Sequence, residues 1–156
     1  VKSRLSSFLV HVMQEVYEII EPKIKINYHN TLQKNLVNSA VFFNSKGVPE
    51  YRISKVKGYE NRVGKIDVVW LDTTENPYVA IEIDSGLRKK SMMKLLSSNA
   101  EYKVQIYYGE RTETEIELFK KRCDPKNEII FLHSPLKLLK RREIESANSH
   151  SLFDFM

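Results

Sequence analysis

The chain has a single cysteine, Cys123, among its 156 residues. A lone thiol excludes an intrachain disulfide framework and fits a reducing compartment, so the expected location is the cytoplasm, beside the nucleoid if the source is bacterial. No apolar run reaches the ~18 uncharged residues of a membrane-spanning helix, and no membrane partner is expected. The stretch from Val1 to Met13 imitates a secretion signal. Gln14, Glu15 and Glu18 follow it at helical spacing with no small-residue cleavage site, so it reads as a helix. The four histidines, His11, His29, His133 and His150, are scattered and lack the His-x-x-x-His or Cys/His pairing that binds zinc, so surface or capping roles are expected for them. The sequence contains no P-loop, no Gly-x-Gly-x-x-Gly, no Gly-x-Ser-x-Gly and no internal repeat.

What is present is an uneven distribution of charge. The length suits one domain over residues 1–145, with a turn-rich and then apolar tail over 146–156. The formal net charge is +5. Residues 46–65 hold six basic side chains against two acidic ones, residues 66–87 hold five acids and no Lys or Arg, and residues 88–111 again hold six basic against two acidic. An acidic centre between two basic flanks suits a metal cluster beside a polyanion, the acids holding the metal and the bases the phosphates. A basic surface with no nucleic-acid partner is the plainer alternative.

The acidic centre is a β-hairpin. Lys65–Leu71 and Tyr78–Asp84 are short, apolar and rich in β-branched residues, with a turn-forming cluster between them. Alternation puts Ile66, Val68 and Trp70 on one face of the first arm and Asp67, Val69 and Leu71 on the other. In the second arm Ala80, Glu82 and Asp84 share a face. A turn centred between Thr74 and Glu75 sets Asp67 opposite Glu82, which gathers three carboxylates on one side of two adjacent strands. Their mutual repulsion and burial call for a cation, either Lys/Arg or a divalent metal. Mg²⁺, which takes oxygen ligands and substrate phosphate, suits such a site; a salt-bridged, solvated sheet face is the competing reading.

Along the chain, residues 4–20 read as a helix ended by Pro22, residues 23–28 as a short extended segment, and 31–43 as a second helix. A strand is expected over 50–56. The glycine-bearing loop 57–65 offers Lys57, Arg62 and Lys65 to backbone phosphates and Tyr59 for stacking. A helix over 87–98 buries Met92, Leu95 and Leu96 with Arg88 on the same stripe; Lys90 and Lys94 fall on the far side, and Lys89 joins the phosphate-reaching candidates. A strand over 101–108 then implies a parallel crossover. Residues 112–123 form a helix with an acidic start and a basic end, 128–133 a strand, and Ser134-Pro135 opens a last helix over Leu136, Leu139 and Ile144.

The order helix, strand, hairpin with Asp67 on one arm and Glu82 on the next, helix, strand resembles the PD-(D/E)XK nuclease superfamily over roughly residues 4–108. The resemblance implies an α/β (α+β) fold of restriction-endonuclease-like type, an αβββαβ core with a mixed sheet flanked by helices. It implies that Asp67 and Glu82 bind Mg²⁺ or Mn²⁺, and that a lysine two positions after the glutamate helps place the attacking water. Ile66 stands where the pattern has proline, and Asp84 stands where it has lysine. Either Arg88, Lys90 or Lys94 reaches in from the following helix, or Asp84 is an extra metal ligand, or the site is not catalytic. The first-helix acid that some members use would be Glu15 or Glu18 by position. The implied function is metal-dependent hydrolysis of DNA phosphodiesters, with RNA open as a substrate. The alternatives are an inactive nucleic-acid-binding module on the same scaffold and a protein-interaction domain. The chain would act as a homodimer or within a larger protein.

Overall fold

The computed structural model describes residues 1–60 and 62–146. In chain order it has helices α1 (Lys2–Ile19) and α2 (Lys25–Ser39), a 3₁₀ turn (Ala40–Phe43), strands β1 (Lys46–Ile53), β2 (Gly64–Leu71) and β3 (Pro77–Asp84), helix α3 (Lys89–Ser97), strand β4 (Tyr102–Tyr107), helix α4 (Glu113–Cys123) and strand β5 (Ile129–His133). One five-stranded sheet runs in the order β1-β2-β3-β4-β5. Its first three strands are antiparallel neighbours, and β3, β4 and β5 run parallel. This is an α+β fold, a mixed sheet flanked by helices.

Two apolar layers sandwich the sheet. Leu5, Leu9 and Met13 of α1 and Tyr28, Leu32 and Leu36 of α2 pack with Val68, Trp70 and Ile81 on one side. On the other, Met92 and Leu95 of α3 pack with Val69, Ala80 and Ile129. Two buried hydrogen bonds pin the first layer: Tyr28 Oη donates to the Met13 carbonyl at 3.1 Å, and Trp70 Nε1 donates to the Leu36 carbonyl at 2.9 Å. Each removes an otherwise unpaired polar group from the core. Among the described residues, no helix is long and apolar enough to cross a membrane.

Several boundaries differ from the sequence expectations, each for a packing reason. The segment 23–28 is not extended, because α2 starts at Lys25. Ile24 and Ile26 mimic strand alternation, yet Ile26 is 56% exposed whereas Tyr28, Leu32 and Leu36, four residues apart, are fully buried. Strand β1 begins at Lys46 and accepts Pro49, since an edge strand has one side free of ladder bonds. Gly47 backs onto α2 so closely that a Cβ there would lie 2.1 Å from the Val37 carbonyl oxygen. The segment after Ser134 is not a continuous helix: Leu139 bridges to Ile24, and helical structure begins only at residue 141. Of the expected tail, residues 147–156 lie outside the described residues.

Candidate active site

The hairpin register is the expected one where the two strands pair: Val68 faces Ile81, Val69 faces Ala80 and Trp70 faces Val79. The ladder ends at Val68 and Ile81, and beyond it the Asp67 carboxylate enters the gap. Its Oδ2 accepts from the Ile83 backbone N–H at 2.8 Å, replacing a strand-to-strand bond with a side-chain one. The parity of β2 changes here too: Ile66 packs with Val69 on the α3 side instead of with Val68 and Trp70. Asp67, Glu82 and Asp84 line one cleft of about 260 Å³ together with His29, Arg88, Lys90, Ser91 and Lys94.

Glu82 is 2% exposed, and Lys94 Nζ lies 2.9 Å from its Oε1. Lys94 is the polar partner of Oε1 among the described residues. Burial, then the Asp67 charge, pushes the Glu82 carboxyl up to about 9, with Lys94 opposing both. Lys94 is therefore not on the far side of α3. The helix begins at Lys89 rather than Leu87, Arg88 is its N-cap, and the buried face takes in Ser91, Met92, Met93 and Leu95. Gly64 at the head of β2 leaves room for the Lys94 stem, whose Cδ and Cγ lie 3.1 and 3.3 Å from where a Cβ would be. The ammonium then reaches the Lys65 carbonyl at 2.8 Å as well as Glu82.

Asp84 is engaged differently. Its Oδ2 accepts from Gln105 Nε2 at 2.9 Å, Ser91 also bonds its carboxylate, and Arg88 Nε lies 3.9 Å from Oδ1. Burial is the main cause that raises its pKa, with the Ser91 and Gln105 bonds acting against it. Among the described residues, no three His, Cys, Asp or Glu side chains come together in an arrangement that could hold a metal ion. The three carboxylates share a cleft without forming a three-ligand cluster, and the partners of Asp84 account for its place.

No family model matches the chain. No curated protein matches it either. Among solved structures it is similar to one described as "cryoEM structure DrdV-DNA complex", with a TM-score of 0.41 and 11% identity, covering 83% of this chain and 10% of that one. The chain thus spans about a tenth of that chain's length.

The other expected site residues divide by position. Arg88 and Lys90 line the cleft. The ammonium of Lys90 also sits 5.8 Å from the centre of the Tyr59 ring, which itself packs on the α3-side core, so Tyr59 is not a freely presented stacking platform. Lys57, Arg62 and Lys65 are exposed on the β1–β2 loop and the start of β2, outside the cleft lining. Lys89 is exposed and its charge acts on Cys123, away from the acids. Glu15 and Glu18 are exposed on α1, where Glu15 lies 3.0 Å from His11 Nε2; neither joins the cleft.

Four cleft contributors escaped the sequence reading. His29 Nε2 lies 3.6 Å from Asp67 Oδ2, and hydrogen bonding to Asp67 raises its pKa. Gln33 Nε2 donates to the Asp67 carbonyl at 2.8 Å. Ser91 and Gln105 hold Asp84. With α2 beginning at Lys25, the residues Lys25, His29 and Gln33 form an i, i+4, i+8 polar stripe beside the buried stripe of Tyr28, Leu32 and Leu36. That spacing was the available signal, masked by the extended reading of 23–28.

Proposed function

We propose that this chain is a Mg²⁺- or Mn²⁺-dependent nuclease that hydrolyses phosphodiester bonds in DNA. The single observation that carries the reading is the pairing of Lys94 with Glu82 at 2.9 Å, beside Asp67, in a cleft that also holds Arg88 and Lys90. It supplies a lysine ammonium at the glutamate although the position two residues on is Asp84.

Asp67 and Glu82 offer hard oxygen donors, and the buried Glu82 carboxyl, which holds its proton up to about pH 9 beside Lys94, would release it to ligate a divalent ion. One or two carboxylates are what Mg²⁺ commonly takes from protein beside substrate phosphate. Those two residues would hold the ion, which when bound supplies charge for the phosphate oxygens and acidifies water. Lys94 would hold the attacking water by hydrogen bonding and neutralise charge on the phosphate as the P–O ester bond breaks. Arg88, permanently charged and backed by Asp84, suits a phosphate clamp. His29 and the Ile83 N–H would keep the Asp67 carboxylate aimed into the cleft. DNA as the substrate follows the resemblance to PD-(D/E)XK nucleases; the chemistry of the cleft asks only for a phosphodiester.

The test is a cleavage time course on plasmid, duplex and single-stranded DNA and on RNA, with Mg²⁺, Mn²⁺ or EDTA. Cleavage with either metal and none in EDTA supports the reading. Binding without cleavage under both metals gives the case to an inactive nucleic-acid-binding module, and RNA-only cutting changes the substrate.

A further inference from the structure

We propose that a second cleft, beside Lys25, is a phosphate subsite for the linkage next to the one held at Asp67 and Glu82. The inference rests on the polynucleotide reading above and extends it to a site the sequence did not suggest. The second cleft has a volume of about 210 Å³ and is lined by Lys25 and Ile26 of α2, Ser85 after β3, Tyr108 after β4, and four residues it shares with the first cleft. The shared four, His29, Ile83, Asp84 and Arg88, make the two hollows neighbours across a common wall.

Its charge is what distinguishes it. Arg88 lies between the clefts with its Nε 3.9 Å from Asp84, so that carboxylate already partly offsets it. Glu82 holds Lys94, and Lys90 lies over Tyr59. On the α4 side of the β3–α3 turn, Arg111 is 3.7 Å from Glu115. Lys25 is only partly exposed, and its ammonium makes no ion pair or hydrogen bond among the described residues. Glu110 and Glu143 line a neighbouring hollow with Lys25, but neither comes within ion-pair distance of it.

An ammonium with no counterion on the wall of this hollow leaves an uncompensated positive charge for an anion to meet. The hydroxyls of Ser85 and Tyr108, bonded to each other, stand on the same wall as further donors or acceptors. Ile26, 56% exposed, gives an apolar surface for a sugar. On α2 the order Lys25, His29, Gln33 runs from this hollow to the Asp67 carbonyl, so one helix stripe spans both clefts. A strand whose scissile phosphate meets Arg88 on one side places its next phosphate toward Lys25 on the other.

The experiment is fluorescence-anisotropy binding of a labelled oligonucleotide in EDTA from 50 to 300 mM salt, with wild type, Lys25→Ala and, as a matched loss of exposed charge, Lys126→Ala. Lys25→Ala should bind several-fold more weakly and lower the slope of log K against log salt by about 0.7 to 0.9, one phosphate contact; Lys126→Ala should leave the slope unchanged. Oligonucleotides with one neutral methylphosphonate linkage at successive positions should reveal two adjacent sensitive linkages with wild type, one of which becomes insensitive in Lys25→Ala. An unchanged slope in Lys25→Ala, with wild-type binding intact, overturns the subsite and leaves the polynucleotide reading standing. A single sensitive linkage in wild type overturns it whatever the variant's folding. No wild-type binding to any polynucleotide overturns both.

Discussion

Lys94 Nζ and Glu82 Oε1 lie 2.9 Å apart at a residue whose relative exposure is 2%. An ammonium from the helix after the hairpin thus stands at the buried glutamate, while Asp84, two residues further along β3, is engaged by Gln105 and Arg88. Replacing Lys94 by Met keeps the stem that packs by Gly64 and removes only the charge. Under the nuclease reading, the initial rate of plasmid cleavage in Mg²⁺ should fall by about a hundredfold or more, the ordinary contribution of a positioned charged hydrogen-bond donor. Lys94→Arg should restore part of it. A Lys94→Met protein cutting within about threefold of wild type would remove Lys94 from the mechanism.

The second prediction concerns pH and stability in EDTA. The folded Glu82 carboxyl lies at about 9, above its ordinary value of 4.5, so the folded state holds a proton there that the unfolded chain releases. Stability from this group is complete below about pH 4.5 and declines as pH rises toward 9. Glu82→Gln cannot ionise. Its melting temperature relative to wild type should climb across that window, the free-energy gap widening by at most ~1.4 kcal/mol per pH unit. Calorimetry at several pH values measures it; parallel curves would mean Glu82 is ionised throughout. Added Mg²⁺ should raise the wild-type melting temperature more than that of Glu82→Gln.

Asp67 and Asp84 should separate in a Mg²⁺ titration. Asp84 is engaged by Gln105, Ser91 and Arg88, so Asp84→Asn is expected to raise KM through a looser Arg88 while leaving the half-saturating Mg²⁺ concentration nearly unchanged. Asp67→Asn should raise that concentration and cost roughly a thousandfold in rate, about 4 kcal/mol at the transition state. Glu15→Gln and Glu18→Gln, both on the exposed face of α1, should do neither. A Mg²⁺ requirement that moves with Asp84 and not Asp67 would reverse the assignment.

A fourth test reads the scaffold. Trp70→Phe keeps the aromatic body and deletes the indole donor to the Leu36 carbonyl. The buried carbonyl is left unpaired, so urea unfolding should show a loss of roughly 1 to 3 kcal/mol with an unchanged m-value. A loss below about 0.5 kcal/mol would mean water reaches Leu36.

What the sequence by itself determined is local or periodic. The short apolar runs Val68–Trp70 and Val79–Ile81 on either side of a turn-forming cluster name the strands and their pairing, because strands covered on both faces read as continuous apolar segments. Asp67 and Glu82 were legible for the same reason, as charges at strand positions where apolar neighbours dominate. The tertiary structure decided the rest. Lys94 lies three residues after Ser91, at the border of the buried stripe of α3, so whether its long side chain turns to solvent or to Glu82 depends on how the helix docks on the sheet. Asp84 could not be read as ligand or anchor without Gln105, which comes from β4, and His29 gave no sign of Asp67 because the two lie on α2 and β2, which only the packing of the helix on the sheet brings together. Contacts between residues far apart in the chain follow from how elements dock, and docking is set by the summed burial of both apolar layers rather than by any one stretch.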